Sequence, residues 1–196
     1  MMDALLTRAD GAIDLVLGRR ERGWAKLDVS ADGFWNSFLA IPACVPALLI
    51  TWLAHGQFLA TTGSELGTGG LVLSLAVIEV VIWLVSIALF LALARPFGWT
   101  DRAVPTVIAV NWASVPIAYA RSVPAAIILL TGMDEGLAFV TLVVEVLILV
   151  AYWRLLAAAL ERSAPVVAGV FLATLVLGYT LADWGHRAFG LLPPAA

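Results

Sequence analysis

The sequence predicts an all-α fold: a polytopic membrane helix bundle of five transmembrane helices, preceded by an N-terminal amphipathic helix. Three observations carry this. Hydrophobic residues make up 62% of the 196-residue chain, charged residues only 13%, and the mean hydropathy is +1.00. Soluble domains are roughly 45–50% apolar and about 25% charged. The apolar residues gather in five stretches, each near the about 20 residues a helix needs to cross hydrocarbon. Finally, most basic residues sit in the N-terminal segment or in alternate connections between stretches.

The chain therefore divides into a cytoplasmic amphipathic helix and basic linker over 1–33, a five-span bundle over 34–190, and a short tail over 191–196. Residues 2–17 place Met2, Leu5, Leu6, Ala9, Ile13, Val16 and Leu17 at helical spacing, with Asp3, Arg8, Asp10 and Asp14 expected to face away. Gly18 suits the helix end. The run Arg19, Arg20 and Arg22, with Lys26, follows; these residues and Trp24 are the expected membrane-surface group. Such a helix either lies among the headgroups, packs on the protein's own cytoplasmic face, or docks a partner.

Ser30 or Asp32 is placed to cap the first span, 34–54, which contains Pro42 and Pro46. A Gly- and Thr-rich linker is expected over 55–70. The second span, 71–94, contains Glu79, and a short basic loop with Arg95 and Arg102 follows. The third span, 104–130, carries Asn111, Pro116, Arg121 and Pro124, and its prolines predict a broken helix. A tight turn over 132–136 leads to the fourth span, 137–160, with Glu145; the fifth is 165–188.

Arg8, Arg19, Arg20, Arg22, Lys26, Arg95, Arg102, Arg154 and Arg162 all fall on the side of the N-terminus. The positive-inside rule then puts the N-terminus in the cytoplasm and the C-terminus outside it, in a bacterial inner membrane. Arg154, near the inner end of its span, is expected to extend to the headgroups.

The intramembrane charges are the candidate site. Glu79, Arg121 and Glu145 each lie about ten residues from the outer end of their span, which at 1.5 Å per residue puts them at one depth. An isolated charge there costs at least about 2.5–3.5 kcal/mol, so a Glu79–Arg121–Glu145 cluster is expected, with Asn111 about two to three turns deeper. Such a cluster either joins three helices or, with two carboxylates for one guanidinium, serves a proton-coupled pathway or a headgroup site. The likeness between the segments after Glu79 and Glu145 is at chance level for so apolar a chain.

Other chemistry is absent. A net charge of −3 and a pI near 5.2, with no basic and aromatic cluster, argue against a nucleic-acid partner. Cys44, the one cysteine, permits no intrachain disulfide and reads as an ordinary helix residue. His55, His186, Glu65, Asp134, Glu135 and Asp183 share the outer side without metal-site spacing. No nucleophile elbow, P-loop or dinucleotide fingerprint occurs, so neither an enzyme nor a cofactor is expected. The tryptophans lie mostly near span ends as an interfacial belt; Trp83 and Trp112 are exceptions read as packing residues.

The segment TDRAVPTVIAVNWASVP, with Gly98, Thr100, Asn111, Trp112 and Pro116, resembles the bacterial members of the Yip1-domain family. In that family a Gly- and Thr-containing loop leads into a span with an aromatic pair and then a proline. Asn-Trp stands here where an Ala-Tyr type pair is more usual. The five-span layout over 34–190, with a cytoplasmic N-terminal segment, is similar too. The resemblance implies an integral membrane protein of undefined activity. A scaffold or subunit acting through helix and lipid contacts is the first expectation, with the bilayer and a homo-oligomer or membrane-protein partner as its associations. A small, proton-coupled transporter or channel is the alternative.

Overall fold

The computed structural model describes residues 2–61, 66–132 and 137–191. Over these residues the chain forms eight helices and no strand: α1 (Met2–Val16), α2 (Arg20–Lys26), α3 (Ala31–Ser37), α4 (Ala40–Thr61), α5 (Thr68–Ala94), α6 (Thr100–Thr131), α7 (Ala138–Leu160) and α8 (Ala164–Ala188). Five stretches are long and apolar enough to cross a membrane: α3 with α4, then α5, α6, α7 and α8. The protein is an all-α helix bundle and an integral membrane protein. Successive spans alternate in direction, so the end holding α1–α3 also holds Arg95, Arg102, Arg154 and Arg162. It is called the basic end below.

Helix α6 is the axis of the bundle. It packs against α4, α7, α1, α3 and α5, while α8 closes the other side against α5 and α7. Contrary to the expected break, α6 is one continuous helix through Pro105, Pro116 and Pro124. A proline removes a ladder hydrogen bond and presses on the preceding turn. Hydroxyls bond back within the same turns: Ser114 Oγ donates to the Asn111 carbonyl at 2.6 Å and Ser122 Oγ to the Tyr119 carbonyl at 2.9 Å, each next to the carbonyl (Trp112, Ala120) that the proline leaves without a ladder donor. Each serine stands two residues before a proline, in a repeated Ser-Val-Pro unit. Gly132, at φ +65°, ends α6 with its N–H on the Ile128 carbonyl.

The first span also departs from expectation. Ser30 caps α3, accepting from the Gly33 N–H at 3.1 Å, and a turn at Phe38–Leu39 separates α3 from α4. Helix α4 then runs to Thr61, so much of the expected 55–70 linker is helical. Nothing between His55 and Thr61 breaks a helix: Gly56 is buried, and a Cβ there would stand 3.6 Å from Leu71 of α5. In the turn expected over 132–136, residues 133–136 lie outside the described residues, as do 192–196 of the tail; Leu191 is buried with Leu59, Leu71, Leu75 and Ile78.

The N-terminal segment is not separate from the bundle. Ala12 and Leu15 of α1, with Leu27, join Ile108, Ala109, Trp112 and Ala113 of α6 and Leu155, Ala158 and Ala159 of α7 in one core at the basic end. Gly18, at φ +82°, turns the chain so that α2 folds back on α1. The helices meet through glycines: a Cβ on Gly23 would lie 2.9 Å from the Gly11 carbonyl oxygen and 2.7 Å from Leu15 Cδ2. Of the three alternatives left by the sequence, packing on its own bundle is what α1 does. A second core at the same end unites Ala94, Trp99, Ala103, Leu156, Leu160, Val167 and Val170. The buried residues of α7 all fall between Leu155 and Leu160, so its far half lies outside these cores.

Candidate functional site

Polar groups descend the inside of the bundle along α6. Asn111, fully buried, uses both ends of its amide. Trp83 Nε1 of α5 donates to Asn111 Oδ1 at 2.9 Å, and Asn111 Nδ2 donates to Ser37 Oγ of α3 at 2.8 Å. Ser37 in turn donates to the Phe34 carbonyl at 2.7 Å. A bare amide in an apolar interior costs roughly 2–7 kcal/mol, so this relay makes Asn111 tolerable there. Cys44, buried on α4, lies 3.7 Å from Ser114 Oγ beside it. Next to Asn111, Trp112 is 1% exposed and the Arg8 guanidinium lies 5.3 Å from its ring centroid. Arg8 therefore faces the bundle, not away from it.

Toward the far end, Arg121 of α6 grips Glu145 of α7 through both carboxylate oxygens, Nε to Oε1 at 2.7 Å and Nη2 to Oε2 at 2.8 Å. This fork is the strongest and most directional form of such a pair. Glu79 of α5 lies within electrostatic range of Arg121 but enters no ion pair among the described residues. The expected three-membered cluster is thus a bidentate pair with a neighbouring carboxylate. Asn111 belongs to a separate network deeper in the bundle.

The pair does not sit in sealed core. The Arg121 and Glu145 side chains are 39% and 37% exposed. They line a cavity of about 550 Å³ with Thr51, His55 and Phe58 of α4, Pro124 and Ile128 of α6 and Thr141 of α7. His55 stacks on His186 of α8, ring centroids 5.7 Å apart at 18°. Asp183 pairs with Arg187. Glu65, Asp134 and Glu135 lie outside the described residues, and no group of three metal-ligating side chains occurs among the described ones.

The expected membrane-surface residues also pair within the protein, while the Arg19 and Arg22 side chains stay more than half exposed. Asp14, expected to face away, is 1% exposed. It takes Lys26 at 2.6 Å, Arg22 at 2.9 Å and Arg19 at 3.4 Å, while Lys26 also reaches Asp10. The fold-back at Gly18 brings the basic run over α1, which periodicity within α1 alone does not reveal. Lys26 beside it holds the Asp14 carboxyl below its ordinary range, and Asp10 and Asp14 hold Lys26 above its own. Arg20 reaches the Ala157 carbonyl at 3.5 Å. Trp24 packs against the basic-end core rather than standing free as an anchor. Arg154, expected among the headgroups, donates Nε to the Val16 carbonyl at 2.5 Å, because the end of α1 lies over it. A helix C-terminus with spare carbonyls is a natural seat for a guanidinium.

No known protein family matches the chain, and no curated protein or solved structure is similar to it.

Proposed function

We propose that this protein is a non-enzymatic transporter or channel of the bacterial inner membrane. Its N-terminus would be cytoplasmic, and the far-end cavity would be its solute- or proton-accessible chamber. One observation carries this reading: the Arg121–Glu145 pair opens into a cavity instead of being sealed between helices. A purely adhesive ion pair has no need of a chamber. Paired charges that face a cavity inside a membrane protein are the usual mark of an ion or proton pathway. Glu79, outside the chamber wall, supplies a second carboxylate within the field of the same guanidinium.

The test is access and flux. With Cys44 replaced by Ser, Thr141→Cys on the cavity wall should react with a membrane-impermeant thiol reagent added to the extracytoplasmic side only. Proton flux into liposomes should fall at least tenfold in Glu79→Gln and Glu145→Gln. An unreactive Cys at 141, or undiminished flux in both variants, would refute the reading.

The second reading is a Yip1-like scaffold or subunit. Of the residues carrying that resemblance, Asn111 and Trp112 lie where α1, α3, α5 and α6 converge, a position suited to holding a framework together. A stoichiometric membrane-protein partner in mild-detergent purification, with no flux, would favour it.

A further inference from the structure

The Arg121–Glu145 fork keeps hydrogen-bonding capacity in reserve. Its two bonds use Nε–H and one Nη2–H, and the guanidinium makes no other hydrogen bond among the described residues. The remaining guanidinium N–H groups, and a second lone pair on each Glu145 oxygen, are left for a ligand. Both side chains are more than a third exposed, and both line the chamber of about 550 Å³. That size falls within the about 300–1,000 Å³ of small-molecule sites. The wall around the fork is divided in character. Thr51, His55 and Thr141 bring polar atoms to it, while Phe58, Pro124 and Ile128 offer apolar surface.

We propose that the chamber binds an α-amino acid with an apolar side chain, an inference that rests on its reading as a solute chamber. Charge balance selects this ligand. The wall carries one guanidinium and one carboxylate, already matched to each other. A simple anion that drew Arg121 away would leave Glu145 bare, and a simple cation on Glu145 would leave Arg121 bare. Either unmatched charge is costly away from bulk water. A molecule with an ammonium and a carboxylate on one carbon matches both at once. Its carboxylate accepts from the unused N–H groups of Arg121, and its ammonium donates to Glu145. The balance holds whether the ligand lies alongside the fork or parts it. Its side chain is then served by the apolar share of the wall, Phe58, Pro124 and Ile128. A pocket of this kind, mostly apolar with a few convergent polar groups, is how small solutes are ordinarily held.

Thiol labelling of Thr141→Cys, with Cys44→Ser, in the full-length protein in phosphatidylcholine nanodiscs tests this. The probes share one carbon skeleton: leucine carries both charges, isocaproate only the carboxylate and isoamylamine only the ammonium. Leucine should slow the labelling. Each single-charge analogue should need about tenfold or more higher concentration for the same effect, the loss of one charge-assisted hydrogen bond. Adding Arg121→Gln and Glu145→Gln together, which leaves no unmatched charge, should abolish the protection by leucine while labelling itself continues. Labelling that leucine does not slow, or that either analogue slows equally well, would overturn the proposal and leave the chamber standing. Protection by leucine that persists in the combined variant would overturn it too. Slower labelling in phosphatidylethanolamine nanodiscs, with no effect of leucine, would replace the amino acid by a zwitterionic lipid headgroup. No labelling of Thr141→Cys under any condition would refute the chamber and its ligand together.

Discussion

Trp83 Nε1 and Asn111 Oδ1, 2.9 Å apart, tie a half-buried α5 tryptophan to a fully buried amide of the axial helix. With the bond to Ser37, one amide joins three helices. Asn111→Ala strands the Trp83 donor in apolar surroundings and removes the acceptor for neither serine nor backbone. The expected loss is about 2–3 kcal/mol of stability. Trp83→Phe, which withdraws the donor, should cost about as much as it loses in packing and hydrogen bonding together. A double-mutant cycle by thermal unfolding in nanodiscs measures their coupling, expected at about 1 kcal/mol.

Arg121→Gln leaves the Glu145 carboxylate without its guanidinium. A fully buried pair broken in this way loses about 3–5 kcal/mol, but both side chains here are more than a third exposed, and about 1–3 kcal/mol is expected. Replacing Glu145 by Gln as well should restore most of the loss, because no unmatched charge remains. Equal unfolding temperatures for the single and double variants would show that the pair does not hold α6 to α7.

Acid should loosen the N-terminal hairpin. The Asp14 carboxyl is held below its ordinary 3.8 by Lys26, Arg19 and Arg22, so its contribution is complete above that pH and is lost as pH falls through the lowered folded value. Lys26, held above its ordinary 10.5, contributes fully below that pH and loses its share as pH rises through the raised value. Asp14→Asn should therefore melt below wild type at pH 7, with the difference closing as pH drops below about 3.8. Trypsin cleavage within residues 19–26 at pH 7 should also be faster in the variant.

Gly33→Ala should be among the most damaging single-atom changes in the basic-end module. Its Cβ would stand 1.9 Å from the Asp28 carbonyl oxygen, and that backbone is fixed because Asp28 Oδ1 also accepts the Ser30 N–H at 3.0 Å. A loss of about 3 kcal/mol is expected, the upper part of the range for overpacking. Gly169→Ala, by contrast, adds a methyl to open space and removes a helical glycine, so its unfolding temperature should match or exceed that of wild type. Parallel thermal melts of the two variants check the contrast.

The spans were legible because hydrocarbon admits so few alternatives: an apolar run of membrane length has to be a helix, whatever its neighbours do. The centrality of α6 was legible for the same reason, since Asn111 and Arg121 could not lie in lipid unmatched. Less visible were features decided by contacts across the chain. Asp14 sits on the polar side of α1 by period, and only the fold-back at Gly18 turns that side into an interior. The prolines of α6 predict a break if taken singly, and no local pattern announces that the helix runs on through them. Glu79 had the right depth to join Arg121, but depth does not fix azimuth, and Glu145 occupies both arms of the fork. Ser37 gave no warning, because a lone serine near a span end has no period or spacing to mark it.

The uneven packing of α7 has a mechanical meaning. Between Leu155 and Leu160 it is wedged into both basic-end cores, and Arg154 fastens it to the end of α1. Beyond that, Arg121 is its one ion-paired anchor among the described residues. A rod clamped at one end and latched at the other is a lever, with its fulcrum beneath α1. A tilt of a few degrees about Leu155 would displace Glu145 by an ångström or so, the scale on which a two-pronged latch at 2.7 and 2.8 Å lets go. The hairpin at one membrane face thereby sets the stiffness of a joint whose opening would be felt near the other.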